Sequence, residues 1–241
     1  MAIVAGSMAA RAEPHHHWSY SGEGGPSHWA ELDTKNAACG TGKSQSPIDI
    51  HTSGVHREGL PALVIHYRPT PLHIIDNGHS VQIDVPGGNA LSAAGVHSQL
   101  VQFHFHDPSE EAIDGKHAPM VIHLVHRDGK GSLSVVAVLV RQGAANPTLE
   151  TLWDHLPHKK AVEEAPAGVV VDPSALLPKT HAYFTYVGSL TTPPCTEHVR
   201  WFVLKTPITA SAEQIDKFRK LYPDNARPVQ PVNGREIDSG G

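Results

Sequence analysis

Residues 102–111 read QFHFHDPSEE. In an extended chain alternate side chains face the same way, so His104 and His106 share one face while Phe103 and Phe105 share the other. The run is either a core strand that carries histidine or a rigid two-nitrogen grip for a metal ion. A second run, MVIHLVH at 120–126, alternates in the same manner. Val121, His123 and Val125 face one side, and Ile122, Leu124 and His126 the other. If the two strands are neighbours, His123 completes a three-histidine site. Three neutral nitrogens leave both charges of a divalent ion uncompensated and a fourth position open, the arrangement that acidifies a bound water. An H-x-H pair alone does not decide between the two readings. Asp107-Pro108-Ser109-Glu110 reads as the strand's exit, where Glu110 is either a solvated carboxylate or a buried acceptor that orients a hydroxyl.

Around these runs the chain has an ordinary globular composition: 241 residues, 39% hydrophobic and 18% charged. The net charge of −5, without a basic run, argues against nucleic acid as partner. No apolar run approaches the ~20 residues of a membrane span. Histidine is the exception in the composition, at 19 residues, so most of them must be structural or exposed. Twenty prolines and 21 glycines punctuate short apolar runs, which favours strands.

Strands are expected at Leu63–Tyr67, His73–Asn77, Val81–Val85, Gln99–His106, Met120–His126, Leu133–Arg141, Ala182–Val187 and Val199–Leu204. Asn146-Pro147 caps a helix over Thr148–Leu156, and Ser211 with Gln214 forms a capping box before Ile215–Leu221. No repeat or linker divides the chain. The expected fold is mostly β (α+β): a single domain with a large, mainly antiparallel twisted sheet and short peripheral helices. It covers residues 15–238, behind a leader at 1–14 that is a signal-peptide remnant or disordered. Cys39 and Cys195 are either two buried thiols or one disulfide closing a long loop; their spacing does not show that they meet.

Further stretches are distinctive as a set: HWSY at 17–20, QSPIDI at 45–50, DNGH at 76–79, GSLTTPPCTE at 188–197, WFVLK at 201–205 and NARPVQP at 225–231. Together with QFHFH, PSE and IHLVH they resemble the alpha-class carbonic anhydrases of bacterial type over most of the chain. The resemblance implies zinc on His104, His106 and His123, and hydration of CO2 to bicarbonate and a proton by zinc-hydroxide attack. It implies that Thr191 accepts a hydrogen bond from the hydroxide and donates its own to Glu110. His79 falls at the proton-shuttle position, with Tyr20, Asn77 and Gln82 along the solvent path. Val125, Val135, Leu190, Thr192 and Trp201 match the pocket for the small, non-dipolar substrate. It also implies a Cys39–Cys195 disulfide and a periplasmic or secreted location. The partner is CO2 or bicarbonate, with a homodimer open. Without the resemblance, Thr191-Thr192-Pro193-Pro194 and Asn77-Gly78-His79 would read as turns and Val135 as plain core.

Two positions depart from the family. Gln102 matches the acceptor for the outer nitrogen of His104, but the carboxylate usual two residues before the third ligand is here Val121. Glu111 stands where the family often has histidine. The expectation is an exchange: Glu111, from the neighbouring strand and braced by Tyr186, receives the N–H of His123. The alternative is an exposed Glu111, with a water or carbonyl serving His123. Two other functions stay open on sequence, a non-catalytic binding module on the same fold and a cupin-type enzyme holding iron or manganese on His104, His106 and Glu110.

Overall fold

Val96–His106 forms an 11-residue strand and Met120–Arg127 an eight-residue strand, and the two pair antiparallel in a computed structural model that describes residues 17–93 and 95–241. The leader expected at 1–14 lies outside the described residues. Register sets His123 opposite His104, Val121 opposite His106, Ile122 opposite Phe105 and Leu124 opposite Phe103. All the histidines of the two H-x-H and IHLVH runs except His126 therefore fall on one face.

These two strands sit near the middle of a 13-stranded sheet. From the histidine strands one flank continues through Val81–Asp84, Ile74–Asp76 and Glu163–Glu164. The other runs through Leu133–Gln142, Glu197–Leu204, Tyr183–Ser189, Asp238–Gly240 and Arg57–Leu60. Most pairs are antiparallel, as expected. Leu133–Gln142 runs parallel to Glu197–Leu204 and to Ile208–Ala210, and Asp238–Gly240 parallel to Arg57–Leu60, so the sheet is mixed.

The two sheet faces bury different cores. Phe103, Phe105, Ile122, Leu124, Val136 and Val138 face helices Pro147–Asp154 and Ala212–Leu221, which contribute Leu149, Leu152, Trp153, Ile215 and Phe218. Both helices begin as their caps require. Asn146 accepts from the N–H groups of Thr148 and Leu149, and the Ser211–Gln214 capping box is formed. On the histidine face Val121, Val125, Val135, Ala137, Tyr186, Trp201 and Val203 make a second cluster. A third, smaller cluster packs Trp29 against the disulfide between Cys39 and Cys195, with Trp18 and Tyr20 at its margin. The bridge spans a sequence separation of 156. No described helix is long and apolar enough to cross a membrane.

His126 lies on the phenylalanine side and is fully buried, its Nε2 sharing a 2.6 Å hydrogen bond with the Tyr67 hydroxyl. Burial lowers its pKa from 6.5 to about 4, against weaker support from backbone groups. A buried neutral histidine stabilises the fold fully above its unfolded pKa, and the contribution falls as pH drops from about 6.5 toward 4. Across that window the loss amounts to about 3 kcal/mol. Urea midpoints measured between pH 7 and pH 4 are expected to fall in the parent and to fall less in His126→Gln. Parallel curves would contradict this account.

Candidate active site

The histidine face carries six ring nitrogens on three residues, and each ring has one nitrogen engaged. His104 Nδ1 donates to Gln102 Oε1 at 2.8 Å, and His106 Nδ1 donates to the Asn225 carbonyl at 2.7 Å. His123 Nε2 donates to Glu111, whose two carboxylate oxygens lie 3.0 and 3.2 Å away. These acceptors fix the tautomers, leaving His104 Nε2, His106 Nε2 and His123 Nδ1 as lone-pair donors. One ring nitrogen of each histidine lies within 4.8 Å of the other two. His106 Nε2 is buried without any hydrogen-bond partner, and so is Glu110 Oε2. Buried polar atoms are rarely left so, and the orphaned nitrogen fits a ligand bond to a metal ion.

Charge around the rings follows the same division. Burial, and then the neighbouring His123, lowers His104 to about 3; burial with both neighbours holds His106 well below the usual imidazole range. Both stay neutral, as a metal ligand must. Burial would lower His123 as well, but the charge and hydrogen bond of Glu111, with the charge of Glu110, outweigh it and leave the ring raised. Glu110 is pushed up to about 7, first by burial and also by Glu111, while His123, the Thr191 hydroxyl and the Arg227 N–H pull it back. Its Oε1 accepts that backbone N–H at 2.8 Å, and its Oε2 stands 3.5 Å from His106 Nε2 and 3.8 Å from His123 Nδ1.

Two clefts meet at His104. One, of about 250 Å³, is lined by Val125, Val135, Leu190, Thr192 and Trp201 together with His104, His123 and Thr191. The other, of about 110 Å³, is lined by Tyr20, Asn77, His79 and Gln82 together with His104, His106 and Thr192. The residues singled out for the substrate pocket thus share one hollow, and those singled out for the proton path share the other. Asn77 Oδ1 accepts from the N–H groups of His79 and Ser80, which sets the turn that presents the His79 ring. That ring stacks on Trp18 with centroids 3.5 Å apart, and His17 stacks on it in turn at 4.9 Å. Burial first, then the charges of His17 and Lys160, lower His79 to about 4 against an opposing pull from Asp76.

The threonine turn is held from several sides. Leu190 N–H donates to the Thr196 carbonyl, and Cys195 N–H to that of Thr192, both at 2.9 Å. Gln45 Nε2 donates to the Cys195 carbonyl at 3.1 Å and to Glu197 Oε1 at 3.0 Å. The disulfide joins the same turn to Cys39.

Two expectations need correction. Glu111 reaches His123 from the irregular connection after Val96–His106, because that strand ends at His106 and the next pairing begins only at Ala112. Tyr186 does not brace it by a hydrogen bond; its hydroxyl pairs with Ser46 Oγ at 3.3 Å. Other residues at the site carried no assignment from sequence. Asn225 receives His106 Nδ1–H and donates its amide to the carbonyls of His79 and Phe105. Arg227 is buried, donating to Gln45 Oε1, the Ser46 carbonyl and the Cys39 carbonyl. Trp18 supplies the stacking surface for His79. The stretches HWSY and NARPVQP were the available signal for all three.

A large mixed sheet carrying three convergent imidazoles, with a half-apolar cleft above them, defines a protein built to hold a single metal ion in reach of a small substrate. The family model for eukaryotic-type carbonic anhydrase matches residues 24–240. The chain is 46% identical over 223 residues to a carbonic anhydrase of Nostoc sp., covering 91% of this chain and 84% of that one. It is 42% identical over 237 residues to one of Pectobacterium atrosepticum, covering 98% and 96%. Among solved structures, the sulfanilamide complex of the alpha-carbonic anhydrase from Thermovibrio ammonificans superposes with a TM-score of 0.88 at 41% identity, covering 92% of this chain and 98% of that one. The chain belongs to the eukaryotic-type (alpha) carbonic anhydrase family, and its enzyme class is that of the family, carbonate dehydratase. That membership removes the cupin-type alternative.

The charge on Lys160 is one of the causes that hold His79 down. Replacing it by methionine is therefore expected to raise the His79 imidazole pKa, followed by nuclear magnetic resonance titration of the ring. An unchanged titration would show that Lys160 exerts no such influence.

Proposed function

We propose that the chain binds one zinc ion on His104, His106 and His123 and uses it for the reversible hydration of CO2. The observation carrying this reading is the division of the six ring nitrogens, three engaged outward and three free and convergent. Zinc suits neutral nitrogen donors with one open position, and when bound it supplies a Lewis acid that makes a nucleophile from water near neutral pH.

The rest of the work falls to the chain's own side chains. CO2 has no net dipole, so Val125, Val135, Leu190 and Trp201 can receive it without a polar group left unpaired. Trp201 is fixed for that purpose, its Nε1–H donating to the Ser189 carbonyl at 3.0 Å and its ring set edge-to-face with His123. Glu110 accepts a hydrogen bond from the Thr191 hydroxyl, which leaves Thr191 only lone pairs to turn toward the attacking oxygen it orients. Thr192 stands where the two clefts join. The spare proton leaves by way of the cleft lined by Tyr20, Asn77 and Gln82 and is taken by His79. With its pKa near 4, His79 is neutral at pH 7 and able to accept, though as a weak base that must hand the proton on to buffer. The Cys39–Cys195 bridge supports an oxidising compartment, periplasmic or secreted.

Stopped-flow CO2 hydration on metal-analysed protein tests the reading. The parent is expected to carry one zinc per chain, to lose activity on chelation and to regain it on adding zinc back. His123→Ala should fall to the uncatalysed rate, and retained hydration there would defeat the site. His79→Ala should lose on the order of 10²-fold in kcat at low buffer, and added imidazole should restore part of it. An unaltered kcat would remove His79 from the proton path.

A further inference from the structure

The three outward acceptors differ in kind: an amide oxygen for His104, a backbone carbonyl for His106 and a full carboxylate for His123. The carboxylate is the unusual one. Glu111 is 0% exposed, a position at which an unpaired carboxylate would be strongly unfavourable. Among the described residues, its side chain has one hydrogen-bonding partner, His123 Nε2, and both oxygens lie within reach of it.

The backbone beneath Glu111 is held firmly. Ser109 Oγ donates to the Glu111 carbonyl at 2.7 Å and accepts the Ala118 N–H at 2.9 Å, while Ser109 N–H donates to the Ala118 carbonyl at 2.9 Å. One residue on, Ala112 pairs in parallel with Asp49. The connection that carries the carboxylate is thus tied both to the loop before the second histidine strand and to a separate strand. The rotamer of His123 is limited from its other side by the edge-to-face contact with Trp201, ring centroids 5.0 Å apart.

On the strand itself nothing could do the same work. Val121 shares a face with His123 two residues away, about 6.6 Å along the strand, and is fully buried. A glutamate there would span that gap, whereas valine offers no acceptor. We infer that Glu111 is the positioning residue for His123, and that positions 111 and 121 form an interchangeable pair of which only one need carry the carboxylate. The geometry assigns Glu111 to hold the ring with Nδ1 inward and to make that nitrogen a stronger donor. This rests on the zinc reading above.

Zinc affinity tests it with the full chain, by competition against a chromophoric chelator after metal removal, together with the visible spectrum of the cobalt-substituted protein. Glu111→Ala is expected to weaken zinc binding about 10–100-fold and to shift the cobalt bands. Glu111→Gln, which keeps shape and an acceptor oxygen, is expected to lose less. In Glu111→Ala/Val121→Glu the new side chain has the vacated space, and most of the affinity should return. Circular dichroism of the metal-free variants checks that the fold persists; should the alanine variant not fold, the glutamine variant and the double variant carry the test. Affinity within twofold of the parent in both single variants overturns the assignment. Loss without recovery in the double variant overturns the interchange. A parent that binds no zinc at all overturns the zinc reading and this inference with it.

Discussion

The rest of the site depends on the register between two antiparallel strands. His104 and His123 are cross-strand partners, and His106 sits one pleat further along on the same face. Because side chains alternate, a slip of a single residue would turn His123 into the core of Phe103, Phe105 and Trp153 and bring hydrocarbon to the point where the imidazoles converge. The phenylalanines beneath therefore do more than fill space. Their burial under helices Pro147–Asp154 and Ala212–Leu221 makes the wrong register costly, and the three imidazoles are aligned as a result. The one irregularity in this pairing falls between Val125 and His126, beyond His123. The alignment is undisturbed where it matters.

Legibility in the sequence follows how local each signal is. Alternation in QFHFH and IHLVH pointed to the shared histidine face, and the Asn146-Pro147 and Ser211/Gln214 caps pointed to both longer helices, because these signals are carried by neighbouring residues. The long strands were found within a residue or so at most ends; Val96–His106 starts three residues earlier than its apolar pattern, in the polar stretch before Gln99. The strands Arg57–Leu60, Ala90–Ala93 and Asp238–Gly240 were not readable, being short, near sheet edges and without a periodic apolar pattern. The contacts that finish the site come from still further away. Asn225 meets His106 across 119 residues, and Arg227 meets Gln45 across 182. Such pairings leave no local trace in one chain, so neither was assigned from the sequence. Glu111 was a middle case. A missing carboxylate at Val121 made a substitute conceivable, but only the path of the connection after His106 determined from where it would reach.

Glu110 and Glu111 are adjacent in sequence and both fully buried, yet their surroundings divide their roles. Glu111 faces the outer nitrogen of His123, whereas Glu110 faces inward, anchored by the Arg227 N–H and subject to the Thr191 hydroxyl. Consecutive residues in an irregular segment can point to opposite sides of one imidazole, which a regular helix would not permit. Arg227 adds a second economy. Its backbone serves Glu110 while its guanidinium, held above Trp29, binds three separate oxygen acceptors around the disulfide, so one residue joins the Glu110 carboxylate to the bridge.

That bridge has a consequence for biogenesis. Ribosomes deliver the chain from its amino end, so Cys39 enters its surroundings 156 residues before the sulfur it must meet. For all that interval it is a lone thiol with no correct partner within the chain, and any oxidation it undergoes has to be with another molecule. Pairing within the chain is possible only once Cys195 has been made, and by then every strand up to Tyr183–Ser189 has already been synthesised. The covalent link thus becomes available late in synthesis, when most strands of the sheet already exist to pair with one another. It is well suited to holding the threonine turn in place and poorly suited to guiding the chain toward it.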